Sequence, residues 1–195
     1  MKVSTLAAAL CFCAAPLTSS AQLGPKGERA YRFTFEAHLT RLWFDDEALP
    51  GAGKTEVGGY GGRFLYHPAA SMSGPRTLLG RSSVGIFSEY TADQGSPAAS
   101  SLHYGLEMDA SLFAFPLFGG VLDPFVSLTA GVMSTSIDLE SGSVDRDDFA
   151  LTPGLGARIP IYRGMGLRGD LRLPIVFGAE TTGNLMANGG GYISF

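Results

Sequence analysis

This sequence has no long apolar run and only two cysteines. No stretch reaches 18 consecutive apolar residues, and the uncharged segment 110–122 is interrupted by Pro116 and Gly119-Gly120. A membrane-spanning helix needs about 20 apolar residues, so a helical membrane protein is excluded. The only cysteines are Cys11 and Cys13, both near the start of the chain.

The start of the chain is predicted to be a secretory signal peptide. Lys2 precedes a short apolar stretch at 6–17, and Ser19-Ser20-Ala21 supplies small residues for cleavage. We expect residues 1–21 to be removed and residues 22–195 to form one domain. Because both cysteines then leave with the leader, disulfides, thiol catalysis and cysteine metal sites are excluded.

Positive charge is also scarce. Lys and Arg total 14 against 18 Asp and Glu, which gives a formal net charge of −4. A nucleic-acid-binding domain usually carries a basic patch, and nothing here provides one. We therefore expect no nucleic-acid partner.

The sequence does contain segments in which apolar and polar residues alternate strictly. Every second residue from Leu102 to Ala114 is apolar, and apart from Phe113 the intervening residues are polar or glycine. A period of two indicates a strand with one apolar face. Thirteen residues at ~3.4 Å each extend roughly 44 Å, longer than a soluble strand needs and enough to cross a bilayer at a tilt.

Similar alternation recurs in eight segments separated by stretches rich in Gly, Pro, Asp and Ser. These segments are 30–42, 57–67, 78–91, 101–115, 125–137, 149–162, 166–178 and 187–195. Hairpins in succession are typical of an up-and-down barrel. The predicted fold class is all-β, an eight-stranded antiparallel up-and-down transmembrane β-barrel over 22–195.

The charged residues of these segments fall on one face, apart from Arg41 at a rim. That face holds arginines, carboxylates and many glycines but no lysine. Because charges on the lipid face are costly, we expect them to point into a lumen that side chains fill, without an open channel. The predicted interior network, with a structural role, is Arg63, Arg81, Glu107, Asp109, Arg158, Arg168, Asp170 and Arg172.

Three prolines fall within the predicted strands, and acidic residues are concentrated in the predicted loops. Pro153 and Pro160 are expected near the rims, whereas Pro174 in mid-strand suggests a β-bulge facing the lumen. The connections near 43–56, 92–100, 138–148 and 179–186 are expected to be four acidic extracellular loops, and the sequence leaves their ligand open. The run 145–148 lacks the spacing of a calcium loop and is interpreted as a solvated loop.

The leader, the eight segments and the ending Gly191-Tyr192-Ile193-Ser194-Phe195 together resemble the small OmpA/OmpX-type outer-membrane β-barrels, a porin-like group. The resemblance implies export through the periplasm to the outer membrane of a Gram-negative-type bacterium. It implies contact with outer-membrane lipid and lipopolysaccharide, and handling by periplasmic chaperones. It also implies that the barrel assembly machinery reads Ile193 and Phe195, and it implies no cofactor.

Four functions are compatible with these patterns. The favoured hypothesis is a structural or surface-interaction barrel, with a narrow gated pore as its variant. A lipid-modifying barrel enzyme is the third, although His38, His67 and His103 do not form a catalytic pattern with serine on the lipid face and no catalytic residue is assigned. The fourth is a soluble periplasmic β-sandwich, which would also alternate.

Overall fold

The protein is described by a computed structural model that covers most of the chain after residue 30. The residues described are 31–43, 56–68, 82–93, 98–113, 117–118, 121–139, 142–178 and 181–195. Within this part of the chain, no helix is long and apolar enough to cross a membrane. Arg81, the leader and residues 44–55 lie outside the described residues.

In the described part of the chain, ten β-strands make up the sheet. They are β1 Phe33–Trp43, β2 Glu56–Tyr66, β3 Ser82–Asp93, β4 Ala98–Ser111, β5 Asp123–Leu139, β6 Gly142–Tyr162, β7 Met165–Arg172, β8 Ile175–Phe177, β9 Thr181–Gly183 and β10 Leu185–Ser194. β7 and β8 together form one barrel strand that is interrupted at residues 173–174, which we call the β7–β8 line. β9 and β10 likewise form one barrel strand that is interrupted at residue 184. The barrel wall therefore consists of eight antiparallel strands.

The sheet closes on itself. Each strand pairs antiparallel with the next one along the chain, and β10 returns to pair with β1, where Phe35 faces Ile193. Closure removes the free edges that an open sheet would expose to aggregation. The predicted fold class is confirmed, and the alternative of a two-sheet β-sandwich is wrong because there is a single closed sheet.

The connections divide into two sets at opposite ends of the barrel. Residues 44–55, 94–97, 140–141 and 179–180 join strands at one end, which we call the loop end. Tyr31, Phe195 and the strand ends that are joined through residues 67–81, 112–122 and 163–164 lie at the other end, which we call the terminal end. At the terminal end, Arg163 and Gly164 form a two-residue turn with φ of 38° and 86°. Positive φ at both positions is typical of a type I′ hairpin turn.

Burial alternates along the strands with the predicted phase. In β7 the even-numbered residues, including Arg168, are buried and the odd-numbered ones, including Leu167, are exposed. The outward side chains form a continuous apolar surface with large exposed residues such as Leu39, Ile86 and Leu106, at 73%, 59% and 63% exposure. A protein surface this apolar requires a nonaqueous neighbour.

The β5–β6 hairpin is longer than the sequence predicts, because its strands extend into a stretch that was predicted to be a loop. Residues 138–148 were expected to form a loop, but β5 and β6 stay paired as far as Leu139 and Gly142. The serines and aspartates of this stretch indicate a loop in the sequence, because the prediction relies on apolar alternation. A hairpin that projects beyond the barrel into water has no apolar neighbour, so its ladder can be maintained by backbone hydrogen bonds with polar side chains on both faces.

Pro174 faces the lumen as expected, but the predicted bulge at this position is wrong. The register between β6 and the β7–β8 line is the same on both sides of Pro174, and the shift occurs instead between Pro160 and Tyr162. Pro174 still accepts a hydrogen bond from the backbone N of Asn184, at 2.9 Å. Since proline has no N–H to return, the ladder loses one bond here without inserting a residue. Pro153 lies next to this position in the wall, within β6 and away from the rim, where its carbonyl accepts from Leu173 N at 2.9 Å.

Candidate functional site

The middle of the barrel interior is occupied by ionised side chains. All of them are nearly or fully removed from solvent, with relative exposures of 0–4%. We call this group the central cluster: Glu36, Arg63, Glu89, Glu107, Asp109, Arg168, Asp170 and Arg172. Buried charges of this kind are tolerated only when they are paired and hydrogen-bonded.

Arg63, on β2, contacts four carboxylates. Its Nη1 lies 2.5 Å from Glu36 Oε1 and 2.8 Å from Asp170 Oδ2. Its Nε lies 3.1 Å from Glu107 Oε2, and its Nη2 lies 3.2 Å from Glu89 Oε1. These partners come from β1, β7, β4 and β3, so one guanidinium group joins five strands of the wall. A planar group with several fixed donors suits this position better than a lysine ammonium would.

Two arginines of β7 share one carboxylate of β4. Arg168 Nη2 and Arg172 Nη2 each donate to Glu107 Oε1 at 2.7 Å. Arg168 Nη1 also donates to Asp109 Oδ2 at 2.8 Å, and Arg172 Nε donates to Asp170 Oδ1 at 2.7 Å. Since β4 and β7 are separated in the sheet by β5 and β6, these bonds cross the lumen.

Towards the terminal end the cluster continues through Arg158. Its Nη2 donates to Asp109 Oδ2 at 2.6 Å, and its Nη1 lies 3.5 Å from Asp123 Oδ2. The ring of Phe125 contacts two cations, with the guanidinium carbons of Arg158 and Arg168 at 4.4 and 4.3 Å from its centroid. Such cation–π contacts strengthen when the charge is desolvated.

Towards the loop end the lumen changes from charged to apolar. A layer of inward apolar side chains lies there, which we call the apolar layer: Leu42, Val57, Met133, Ala150, Val176 and Met186. Their relative exposures do not exceed 8%. The apolar layer lies between the central cluster and the loop end, so it excludes water from that side of the charged groups.

The structure brings most of the residues of the predicted network together. Arg81 lies outside the described residues, while Ile193 and Phe195 lie on the outer face at the terminal end, where Phe195 N donates to Phe33 O at 2.9 Å. The seven members found within one connected set are Arg63, Glu107, Asp109, Arg158, Arg168, Asp170 and Arg172. Their role remains a proposal, taken up below.

Sequence reasoning did not include several polar residues that the structure places in contact with this set. His38 Nε2 lies 3.2 Å from Glu89 Oε1, and His103 Nδ1 lies 3.6 Å from Glu89 Oε2. Asn188 Nδ2 donates to Glu89 and Asp170, at 3.0 and 3.1 Å. The parity of each strand already assigned them to the inner face, and only the curvature and stagger of the wall determine which inward residues meet.

Among the described residues, no group of three or more His, Cys, Asp or Glu side chains is arranged to hold a metal ion. The carboxylates of the central cluster instead point at guanidinium groups.

Comparison with known proteins supports the fold and leaves the role open. No protein family model and no curated protein matches the sequence. Solved structures do match. Neisserial surface protein A is 10% identical, with a TM-score of 0.59, covering 84% of this chain and 97% of its own. The N-terminal β-barrel domain of Pseudomonas aeruginosa OprF is 13% identical, with a TM-score of 0.53 and coverages of 83% and 97%.

The Pseudomonas aeruginosa outer membrane protein OprG is 10% identical, with a TM-score of 0.53, and the match covers 85% of this chain and 96% of that one. At such identities the likeness concerns the fold. The chain therefore has the fold of small outer-membrane β-barrels, and the resemblance expected from the sequence is confirmed at that level.

Proposed function

We propose that this protein is an outer-membrane β-barrel of a Gram-negative-type bacterium, with a lumen closed by its own side chains and a function carried by its loop end. The observation that supports it best is the buried central cluster, in which Arg63 alone contacts four carboxylates. A continuous water path would keep these charges hydrated, whereas here they are paired with one another. An eight-stranded barrel is narrow enough for side chains to fill.

The outer surface supports the membrane part of the proposal. The exposed aromatic and aliphatic residues of the wall would face acyl chains, which removes them from water at a gain of about 25 cal/mol per Å². Near the terminal end, the ring of Phe33 lies 5.5 Å from those of both Phe64 and Tyr66. Aromatic groups at such a rim suit the lipid–water interface. The partners proposed on this surface are outer-membrane lipid and lipopolysaccharide.

Export and assembly complete the proposal. Periplasmic chaperones and the barrel assembly machinery are proposed as transient partners, with Ile193 and Phe195 as the signal that the machinery reads. Ile193 lies on β10, whose pairing with β1 closes the barrel, and Phe195 directly follows this strand.

Three measurements test the proposal. The folded protein should migrate differently on unboiled and boiled gels and should require detergent, because closed barrels resist dodecyl sulfate until heated. Planar-bilayer recordings should show no steady conductance. A protein that stays monomeric in water without detergent contradicts the membrane assignment, and a steady ion current contradicts the closed lumen and favours a narrow pore.

A further inference from the structure

The imidazole ring of His38 lies between two carboxylates inside the barrel. Its Nδ1 lies 3.4 Å from Glu36 Oε1, and its Nε2 lies 3.2 Å from Glu89 Oε1. The side-chain exposures of these three groups do not exceed 1%. The two nitrogens of one ring therefore face two buried anions, one from β1 and one from β3.

A neutral imidazole does not suit this position. It carries one N–H and one lone pair, so one of its nitrogens would direct a lone pair at a carboxylate oxygen. In the described part of the chain, neither nitrogen of His38 has a hydrogen-bond donor as a partner, so no other group satisfies that lone pair. An imidazolium carries an N–H on both nitrogens and presents a donor to each carboxylate.

Other groups around His38 act on its charge in both directions. Arg63 of β2 contacts the same two oxygens, with Glu36 Oε1 at 2.5 Å and Glu89 Oε1 at 3.2 Å, and its positive charge opposes a second cation beside it. Four further residues contact these two carboxylates from the other strands: Arg168 and Arg172 of β7, Asn188 of β10 and His103 of β4. The overall balance of buried charge therefore decides whether His38 keeps a second proton.

That balance favours an additional cation. The central cluster contains five carboxylates and three guanidinium groups. Asp123 and Arg158 continue it towards the terminal end, which gives six carboxylates against four guanidinium groups among the described residues. Arg81 lies outside these residues, and even its addition would leave one carboxylate in excess. Since uncompensated buried charge is costly, the interior is stabilised by one more positive charge.

His103 provides a contrast in the same region of the lumen. Its Nδ1 lies 3.6 Å from Glu89 Oε2, whereas its Nε2 has no hydrogen-bond partner among the described residues. Its ring packs edge-on against Phe87, with 4.7 Å between the centroids. A neutral ring with its N–H on Nδ1 suits this position, because a single nitrogen faces an anion. The two histidines beside Glu89 thus differ in the number of carboxylates that they face.

We propose that His38 is an imidazolium in the folded barrel and that its second proton holds the closed lumen together by joining Glu36 to Glu89. These carboxylates belong to β1 and β3, which are not neighbours in the sheet. In alkali the proton passes to water, the ring becomes neutral, and one carboxylate loses its donor. The interior is thereby loosened through one buried group. This inference goes beyond the proposed function, since it concerns the barrel interior and holds whatever the loop end binds.

The direct test is nitrogen NMR of the folded barrel with isotope-labelled histidine. The chain has three histidines, so the ring signals are assigned with His38→Gln, His67→Gln and His103→Gln. An ordinary imidazole titrates near 6.5 and is neutral at about pH 8. At that pH we expect protons on both ring nitrogens of His38 and a neutral ring for His103. A neutral His38 ring overturns the proposal and places the extra proton on a carboxylate.

The second test is the equilibrium constant for unfolding by urea in lipid vesicles, between about pH 7 and 9. While the folded barrel holds the proton and the unfolded chain does not, this constant should rise about tenfold per pH unit relative to that of His38→Gln. His103→Gln is the matched control and should keep the rise.

Two results of this measurement overturn the proposal. Parallel profiles for the original protein and His38→Gln would mean that no proton is held at His38, and loss of the rise in His103→Gln would assign it to the other ring. If His38→Gln does not fold, the NMR spectrum of the original protein decides, because His67→Gln and His103→Gln identify the remaining signal by elimination.

Discussion

Arg172 Nη2 donates a 2.7 Å hydrogen bond to Glu107 Oε1 across the lumen, and both side chains are shielded from solvent. Arg168 donates to the same oxygen at 2.7 Å, and Arg63 Nε lies 3.1 Å from the other oxygen of Glu107. Glu107, like Asp170, is therefore a carboxylate that contacts Arg63, Arg168 and Arg172. Removing it leaves buried positive charge with fewer partners.

The first prediction follows from this position. Glu107→Ala should lower the free energy of unfolding by about 3–5 kcal/mol, because breaking a buried ion pair leaves an uncompensated charge. The measurement is the urea dependence of unfolding in lipid vesicles. Glu56→Ala is the control: its pair with Arg41, at 2.5 Å, has side chains 67% and 43% exposed, so its loss should cost about 0–1 kcal/mol. Equal effects of the two substitutions would contradict the scaffold role.

The second prediction concerns two adjacent glycines of β2. A Cβ on Gly59 would collide with the carbonyl oxygen of Tyr90 on β3, whereas a Cβ on Gly58 would meet nothing within 4 Å. Gly59→Ala should cost about 1–3 kcal/mol through overpacking and should reduce the yield of heat-modifiable barrel. Gly58→Ala should leave that yield unchanged. A Gly59→Ala barrel that folds as well as the control would show that the strands can separate there at little cost.

The third prediction concerns acid stability at the terminal end. His67 follows β2 directly, and its Nε2 lies 2.8 Å from Thr34 Oγ1. Burial, reinforced by the positive charge of Arg158, lowers the pKa of His67 to about 4. An unfolded histidine titrates near 6.5, so the unfolded chain binds more protons between about pH 6.5 and 4 and the folded state loses stability as pH falls through this window.

The measurement is the unfolding free energy of the protein and of His67→Gln between pH 4 and 7. The difference between the two isolates His67 from the other titrating groups. The original protein should lose more stability on acidification than the variant does. Parallel pH profiles would mean that His67 has the same proton affinity in both states.

The fourth prediction separates signal from stability at the last residue. The ring of Phe195 lies 6.1 Å from that of Phe33, on the outer face of the closing seam. If the assembly machinery reads Phe195, Phe195→Ala should reduce the amount of folded barrel in cells while lowering the stability of purified barrel by only about 0.5–1.5 kcal/mol. Phe33→Ala, which removes the other ring of this pair, is the control and should leave the amount in cells less affected. Equal cellular losses would assign Phe195 a packing role alone.

The sequence by itself determined which side chains lie on the inner face of the barrel wall and which lie on the outer face. Alternation such as that from Leu102 to Ala114 fixes which side chains share a side of the wall, because a strand has a period of two residues. Inward assignment of Glu107 and Arg172 followed from this, as did the number of strands and the closed topology. The same reliance on apolar alternation produced the mistaken loop at 138–148, since a hairpin in water does not need that pattern.

Only the tertiary structure decided which inward residues meet. The pairing of Glu107 with Arg172 depends on the stagger between strands that are not neighbours, and no local pattern encodes that stagger. The position of the register shift in the β6–β7 pairing was also decided by the tertiary structure. The shift lies between Pro160 and Tyr162, whereas the register is unchanged across Pro174. A strand's period is a local property of its own backbone, whereas contacts across a lumen are set by the closure of the whole sheet.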